Sequence, residues 1–183
     1  MSIFSVFGRF LPMEKVTGAL GVTDSNHAQV HAKKAFSVAG IKETIAAGGT
    51  FILSLDIPAG SYVHFQAAKI TATGHAKVEI LEDVTVGTPG TGILPKNRHR
   101  LSGGASLVTC RTDDTISSGT LLDGDIVGAP GAAGKATVGG NTGDDAEWVL
   151  DTAITMAIRV TSKEATDAID VSIRPFWYEE DAA

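Results

Sequence analysis

His27 and His31 stand four residues apart, the spacing at which two histidines on one face of a helix can bind zinc. The residues between them are Ala, Gln and Val, so the glutamate that acts as the base of a zinc protease is absent. The surrounding residues are typical of a strand, in which side chains four positions apart lie roughly 13 Å apart at about 3.3 Å per residue. We therefore interpret both histidines as structural or surface residues and predict no metal site there.

A second candidate is the segment of small residues at 128–143, in which Gly134 and Lys135 are similar to the end of a phosphate-binding loop. That motif requires a glycine five positions before Gly134, where this chain has Ala129, and a serine or threonine after the lysine, where it has Ala136. The segment also has no clear helix after it, so its amides would not converge on an anion. We predict an exposed loop and no nucleotide cofactor.

Three pairs of aspartates could hold a hard cation such as calcium, because calcium prefers clustered carboxylate oxygens. The middle pair lacks the later ligands of an EF-hand loop, and aspartate is also favoured in exposed turns. We interpret the pairs as solvated turns, and a calcium ion shared between loops stays an open alternative. The pairs are Asp113 with Asp114, Asp123 with Asp125, and Asp144 with Asp145.

Nucleophilic catalysis finds little support in the sequence. The single cysteine, Cys110, lies in a segment typical of a strand, and no Gly-x-Ser-x-Gly motif occurs. One cysteine also excludes an intrachain disulfide and a cysteine-rich zinc site. Two carboxylates that meet in space could still form a glycosidase pair, which a sequence alone does not show. We predict that the chain is not an enzyme and needs no cofactor.

The densest group of cations lies at 96–100 and contains Lys96, Arg98 and Arg100. Such a run is either an ordinary exposed loop or a contact patch for an acidic partner surface, which could belong to a neighbouring copy of the chain. We expect any contribution of this run to binding to fade with salt, because exposed charges are screened.

Aromatic residues at both ends of the chain supply further candidate contacts. Near the N-terminus, four large apolar side chains fall at i, i+3, i+6 and i+7, which is one stripe of a helix. This stripe either folds back over the chain's own core or docks into a groove of a partner. A Trp-Tyr pair near the C-terminus is an interface candidate with core packing as an equal alternative. The residues are Phe4, Phe7, Phe10 and Leu11 at one end, and Trp177 and Tyr178 at the other.

The 183 residues carry a net charge of −6, which is unevenly distributed. Residues 1–100 hold 10 basic and 7 acidic residues, whereas residues 101–183 hold 5 and 14. Nucleic-acid binding is disfavoured, because a protein that binds a duplex normally carries a basic face. Opposite charges would instead suit side-by-side assembly. We predict no membrane-spanning helix and, since no positive charge leads the apolar N-terminus, synthesis in the cytoplasm rather than secretion.

From about residue 28 onward, large apolar residues recur at every second position, as in Ile154, Met156, Ile158 and Val160. Side chains alternate between the faces of a strand, so this period predicts half-buried strands separated by glycine-rich and proline-rich turns. We predict an all-β fold: an antiparallel β-sandwich or jelly-roll-like domain at 24–183, with an extended N-terminal arm at 1–23. The predicted strands lie near 28–38, 50–57, 61–72, 76–82, 105–111, 119–127, 146–150, 153–161 and 168–177.

Several short segments occur in an order that is similar to a known family. They include Asn-Arg-His-Arg at 97–100, Gly-Thr-Leu-Leu-Asp-Gly at 119–124 and Pro-Phe-Trp-Tyr-Glu at 175–179. The others lie at 27–36, 76–83, 87–89, 139–141, 147–148, 158–161 and 171–174. Together they resemble the small β-rich head decoration (capsid cement) proteins of tailed bacteriophages, over residues 27–180.

The resemblance implies a non-enzymatic virion protein, made in the host cytoplasm, that binds the outside of the phage capsid and reinforces it. Its implied partners are the major capsid protein and copies of itself, with a trimer as the expected oligomer, and no nucleic acid or membrane. No catalytic residues carry over. Two alternatives stay open: a tail or baseplate component, and a carbohydrate-binding module in which an exposed aromatic residue such as Tyr62 would contact the sugar.

Overall fold

One short helix and fifteen strands make up the part of the chain that the structure, a computed structural model, describes. The described residues are 25–101, 103–128, 140–141 and 147–181. The helix is α1 (Ser25–His31). The strands are β1 (Ala35–Ser37), β2 (Gly40–Ile45), β3 (Thr50–Asp56), β4 (Ser61–Ala72), β5 (Ala76–Glu82), β6 (Thr85–Thr88), β7 (Thr91–Ile93), β8 (Lys96–Asn97), β9 (Thr109–Thr112), β10 (Thr115–Ser117), β11 (Thr120–Val127), β12 (Gly140–Asn141), β13 (Trp148–Leu150), β14 (Thr155–Ser162) and β15 (Ile169–Asp181).

These strands form two antiparallel sheets that pack face to face. In the described residues, sheet I has seven strands in the order β12-β4-β15-β1-β8, with β13 also pairing with β4 and β2 with β15. Sheet II has six, in the order β11-β5-β14-β3-β9-β7. The predicted antiparallel β-sandwich is confirmed.

The core lies between the two sheets and is built from the alternating apolar residues. On β14, for example, Met156, Ile158 and Val160 are buried, whereas Arg159 faces outward. Each such side chain contributes roughly 1.5–3 kcal/mol when it leaves water. The period-two pattern of the sequence is therefore the pattern of the sandwich interior.

A pair of short strands, β6 with β10, covers part of the outer face of sheet II. Val84, in the turn before β6, and Ile116, on β10, belong to this cover. They pack against Ile52, Leu81 and Ala157 of sheet II. A second, smaller apolar cluster thus lies outside the main core, and it closes part of that outer face.

The predicted strand over 28–38 is wrong in its first part. Residues Ser25–His31 form α1, and only Ala35–Ser37 is extended, as β1. The residue types in this segment favour a helix over a strand, because Ala28 has a high helix propensity and Val30 is the only β-branched residue.

The end of α1 shows how the chain turns into the sheet. The Lys34 amide donates to the carbonyl of Gln29 at 3.1 Å, and the Lys33 amide donates to that of Val30 at 3.0 Å. Lys33 has a φ of 64°, in the left-handed region. This is a Schellman motif, which satisfies the last carbonyls of a helix and reverses the chain.

The other eight predicted strands each coincide with an observed strand, with two notable shifts. β9 begins at Thr109 rather than at 105, and β15 continues to Asp181 rather than ending at 177. The strands without a separate prediction, β2, β6, β7, β8, β10 and β12, are six residues or shorter. They lack a run of alternating apolar residues long enough to show a period.

Several predictions fall outside the described residues. They are the N-terminal arm at 1–23 with its contacts at Phe4, Phe7, Phe10 and Leu11, most of the segment at 128–143, and the pair Asp144 and Asp145. Among the residues that are described, no helix is long and apolar enough to cross a membrane.

Candidate functional site

The outer face of sheet I brings together most of the described residues that the sequence proposes as contacts. It is formed by the outward positions of β4, β15, β1 and β8. Its two ends differ in charge, and we name them by their residues. The acidic cluster is Tyr62, His64, Glu147, Tyr178 and Glu180; the basic patch is Lys69, Lys96, Arg98 and Arg174 around Phe176.

Trp177 and Tyr178 lie on opposite faces of β15, because side chains alternate along a strand. Trp177 is 1% exposed and stacks with Phe36 inside the sandwich, with ring centroids 6.2 Å apart. It therefore takes the core position that the sequence leaves as an alternative. Tyr178 lies on the outer face, where its ring stacks on His64 at a centroid distance of 4.2 Å.

One carboxylate, that of Glu147, organises the acidic cluster. It accepts a hydrogen bond from the Tyr178 hydroxyl at 2.5 Å and lies 2.8 Å from Nδ1 of His64. Glu180 lies 3.5 Å from Nε2 of the same histidine. Burial, together with the hydrogen bond to Glu147, raises the pKa of Tyr178, so its hydroxyl stays protonated and donates. These contacts fasten the residue that precedes β13 to the sheet.

In the basic patch, the inward position of the Asn97 side chain shows that the side chains on either side of it face outward. Asn97 faces inward, where its amide donates to the carbonyl of Lys33 at 2.6 Å and its oxygen accepts from the His99 amide at 2.8 Å. Lys96 and Arg98, one position to each side, are exposed. The alternation of β8 thus directs both cations to the outside of sheet I.

Arg98 also has a defined position over an aromatic ring. Its guanidinium carbon lies 5.4 Å from the centroid of the Phe176 ring, which is a cation–π distance. Arg100 follows in the turn after β8 and is exposed. Lys96, Arg98 and Arg100 are therefore accessible, as a contact patch would require, and in the described residues none of them lies within 4 Å of a carboxylate.

Two further cations of the basic patch, Lys69 and Arg174, were not proposed from the sequence. They lie directly opposite each other on β4 and β15. The alternation of each strand could have shown that both face outward, but only the register shows that they meet.

The pair Asp113 and Asp114 does not form a solvated turn as a unit. Asp113 is half-exposed and pairs with Lys42 at 2.9 Å. The Asp114 side chain is fully buried; it accepts a hydrogen bond from Nε of Arg111 at 3.1 Å and one from the Gly90 amide at 2.6 Å. Asp114 lies in the turn between β9 and β10 as predicted, but the prediction that it is solvated is wrong, because its carboxylate is buried and joins two loops.

Arg111 also pairs with Asp56, which extends this network across sheet II. Burial alone would raise the pKa of Asp56, but hydrogen bonds from Arg111 and Thr155 outweigh it and hold that pKa below its ordinary value. Thr155 donates to the same carboxylate at 2.7 Å. Asp56 is therefore an ionised structural partner of Arg111.

A second ion-pair group lies on the outer face of sheet II. Glu79, on β5, is opposite Arg159, on β14, and accepts a hydrogen bond from its Nε at 2.9 Å. Lys77 approaches the other carboxylate oxygen at 2.7 Å. The hydrogen bond from Arg159 is the main reason why the pKa of Glu79 is lowered.

A buried carboxylate, that of Glu179 on β15, was not anticipated from the sequence. It accepts hydrogen bonds from Nε1 of Trp177 at 3.0 Å, from the Leu107 amide at 2.9 Å and from the Ser106 hydroxyl. These contacts tie the loop after β8 to β15. The inward position of Trp177 two residues earlier could have indicated that Glu179 also faces inward.

The remaining sequence candidates have structural roles. Cys110 is buried, and burial raises the pKa of its thiol to about 12, so it is unreactive as a nucleophile. The turn interpretation is wrong for Asp123 and Asp125, which lie on β11, where each accepts a hydrogen bond from the next residue's amide at 2.7 Å. His31, on α1, lies edge-on to His99 with ring centroids 6.2 Å apart. Within the described ranges, no group of three or more His, Cys, Asp or Glu residues is placed to hold a metal ion.

No protein-family model matches the sequence, and no curated protein matches it significantly.

Proposed function

We propose that this chain is a non-enzymatic virion structural protein that binds the outer surface of a phage capsid and stabilises it, as a decoration or cement protein does. The observation that carries the proposal is the basic patch. Its cations come from β4, β15 and the β8 segment of one sheet, and none of them has a carboxylate partner in the described residues. Cations held on a rigid face without an internal partner are suited to an acidic partner surface.

The other ionisable groups support a passive role. Asp56 and Asp114 form ion pairs with Arg111, and Glu79 forms one with Arg159. Glu179 accepts hydrogen bonds from backbone and side-chain donors. Each of these carboxylates holds parts of the fold together. The long strands β4 and β15 give the face the rigidity that reinforcement of a shell requires.

The resemblance to head decoration proteins supplies the partner. It indicates the major capsid protein and neighbouring copies, and an acidic surface on either would complement the basic patch. The acidic excess of residues 101–183 makes a neighbouring copy a self-consistent choice. Location on the capsid exterior, non-enzymatic action and a homo-oligomer, expected as a trimer, are parts of this one proposal.

The proposal is tested by binding to phage heads that lack the protein. Wild-type chain should bind these heads, raise the temperature at which they release DNA, and form regular projections in cryo-electron micrographs. The charge-reversal variant Arg98→Glu should bind at least tenfold more weakly, because like charges would then face each other. The matched control Lys163→Glu changes an exposed cation in the loop between β14 and β15 and should change binding less than twofold.

The same experiment separates the alternatives. Density on the tail instead of the head would favour the tail or baseplate component, and absence from both would contradict a virion role. A carbohydrate-binding module is favoured by one observation: Tyr62 is 38% exposed beside the stacked rings of His64 and Tyr178. If the chain bound sugars on a glycan array and the variant Tyr62→Ala did not, carbohydrate binding would replace capsid binding as the proposed function.

A further inference from the structure

Two cations face each other in the middle of sheet I. Lys69 on β4 is directly opposite Arg174 on β15, and Thr71 is directly opposite Ser172, two positions along the same strands. These are adjacent rows of one antiparallel pair. On such a pair, directly opposite residues have Cβ atoms about 4.5–5.5 Å apart, and the next row lies within reach of long side chains.

The core places all four side chains on the outside. Their neighbours Ile70, Ala72, Val171 and Ile173 are buried between the sheets. Since side chains alternate along each strand, the residues next to these buried positions must face outward. The four outward residues are Lys69, Thr71, Ser172 and Arg174, and they line an open hollow of about 190 Å³.

Among the described residues, the two cations of the hollow differ from several others in having no ion-pair partner. Lys42, Lys77, Arg111 and Arg159 each lie within 4 Å of a carboxylate, but in the described residues neither cation of the hollow does. Like charges directly opposite in an antiparallel pair are destabilising. The chain has 21 acidic residues, so a shortage of carboxylates does not explain the arrangement. A bound anion would offset the repulsion between the two cations, because it would attract both of them.

We propose that Lys69, Thr71, Ser172 and Arg174 form a binding site for a doubly charged tetrahedral oxyanion, either free phosphate or a terminal phosphate ester. The guanidinium of Arg174 offers a planar fork for two phosphate oxygens, and the ammonium of Lys69 supplies a point charge from the opposite strand. The hydroxyls of Thr71 and Ser172 donate to the remaining oxygens. A hollow of this volume holds several waters at about 30 Å³ each, which is room for such an ion.

The surroundings of the hollow are compatible with an ester. Ile41 on β2 is opposite Ser172 and is 67% exposed, so it offers an apolar contact beside the hollow. On the other side, Asn141 of β12 pairs with Lys69. The site does not depend on the proposed location on a capsid, because it is built within one chain.

The test is a titration of the ¹⁵N-labelled full chain, followed by nuclear magnetic resonance at constant ionic strength. The probes are sodium phosphate, glucose 6-phosphate and dimethyl phosphate, with sodium chloride as the balancing salt. Phosphate should shift the amides of Lys69, Thr71, Ser172 and Arg174 saturably. The double variant Lys69→Gln/Arg174→Gln should bind at least tenfold more weakly, whereas the control Lys163→Gln, at an exposed cation in the loop between β14 and β15, should change binding less than twofold.

The probes also distinguish the two sources of the anion. Glucose 6-phosphate that binds at least as tightly as phosphate indicates a terminal ester; binding of phosphate alone indicates the free ion, and both results support the site. Dimethyl phosphate carries a single charge and should bind at least fivefold more weakly than phosphate. Equal binding of dimethyl phosphate, an equal loss in Lys163→Gln, or the absence of saturable shifts would overturn the proposal. The double variant replaces exposed groups, and an unchanged amide spectrum elsewhere shows that it is folded.

Discussion

The outer faces of the two sheets handle charge in opposite ways. On sheet II, Arg111 lies between Asp56 and Asp114, and Arg159 pairs with Glu79. On the basic patch of sheet I, the cations have no carboxylate within 4 Å among the described residues. Both faces belong to the same sandwich, so the difference does not come from the fold class.

Packing accompanies this difference in charge. The strands β6 and β10 cover part of sheet II, where Ile52 and Ala157 are buried in the smaller apolar cluster. The corresponding region of sheet I has no such cover in the described residues. Charges that are partly removed from water need partners, whereas exposed cations do not. Within the described residues, the outer face of sheet II is therefore paired and partly covered, whereas the basic patch of sheet I is open.

The largest expected effect follows the loss of Arg111. In Arg111→Leu the fully buried Asp114 carboxylate loses its cation, so the free energy of unfolding in urea should fall by about 3–5 kcal/mol. The matched variant Arg98→Leu removes an arginine from sheet I and should cost at most about 1 kcal/mol. Equal losses in the two variants would contradict the distinction between the faces.

A second prediction concerns acid. The pKa of Glu79 lies below its ordinary value of 4.5, mainly because Arg159 donates to it. A carboxyl whose pKa is lowered by folding stabilises the protein above its ordinary pKa and loses that contribution as the pH falls through the folded value. Wild-type stability should therefore decline below about pH 5.

The variant Glu79→Gln isolates this contribution. It should be less stable than wild type by about 2 kcal/mol at pH 7, because a charged hydrogen bond is lost, and its stability should fall less steeply between about pH 5 and pH 3. The control Glu43→Gln, at an exposed residue without an ion pair in the described residues, should keep the wild-type slope. Urea unfolding at each pH is the measurement, and parallel slopes would contradict the role of Glu79.

A smaller effect is expected in the acidic cluster of sheet I. Tyr178→Phe removes the hydroxyl that donates to Glu147 and should lower the free energy of unfolding by about 1 kcal/mol. Tyr62→Phe is the matched control on the same face and should have little effect, since the Tyr62 hydroxyl forms no hydrogen bond with the described residues. A larger loss in Tyr62→Phe would show that the cluster is organised differently.

The smallest effect on stability is expected in the basic patch. Lys96→Gln and Arg100→Gln should each change the free energy of unfolding by less than about 0.5 kcal/mol, because both residues are exposed and form no ion pair with the described residues. Their effect should appear in binding to phage heads, which should weaken and lose part of its salt dependence. A large change in stability without a change in head binding would mean that these cations stabilise the fold, as the ion pairs of sheet II do, and would contradict their role in binding.

The long strands could be predicted from the sequence because their signal is local. The predicted strands at 61–72 and 76–82 match β4 and β5 from end to end. The strand predicted over 28–38 was wrong at its start because α1 is specified by helix-favouring residues and its C-terminal cap, which interrupt the alternation. Short strands such as β8 are too brief to show a period at all.

The candidate site was predictable in part. Lys96, Arg98 and Arg100 stand out as a charge run, and they are exposed as a contact patch requires. Lys69 and Arg174 carry no such signal, because each is a single cation in its own strand. Asp114 resembles an ordinary turn residue in the sequence, and its burial becomes visible only when Gly90 and Arg111 close over it.

By itself, the sequence determined the class of the fold and the faces of its long strands, since hydrophobic alternation at every second residue has few other solutions. It also determined which cations are concentrated in one segment. Tertiary structure alone decided which strands are neighbours and in which register, because pairing joins residues that are far apart in the chain and no local pattern encodes it. That register placed Lys69 opposite Arg174 on an open face and Glu79 opposite Arg159 on a partly covered one.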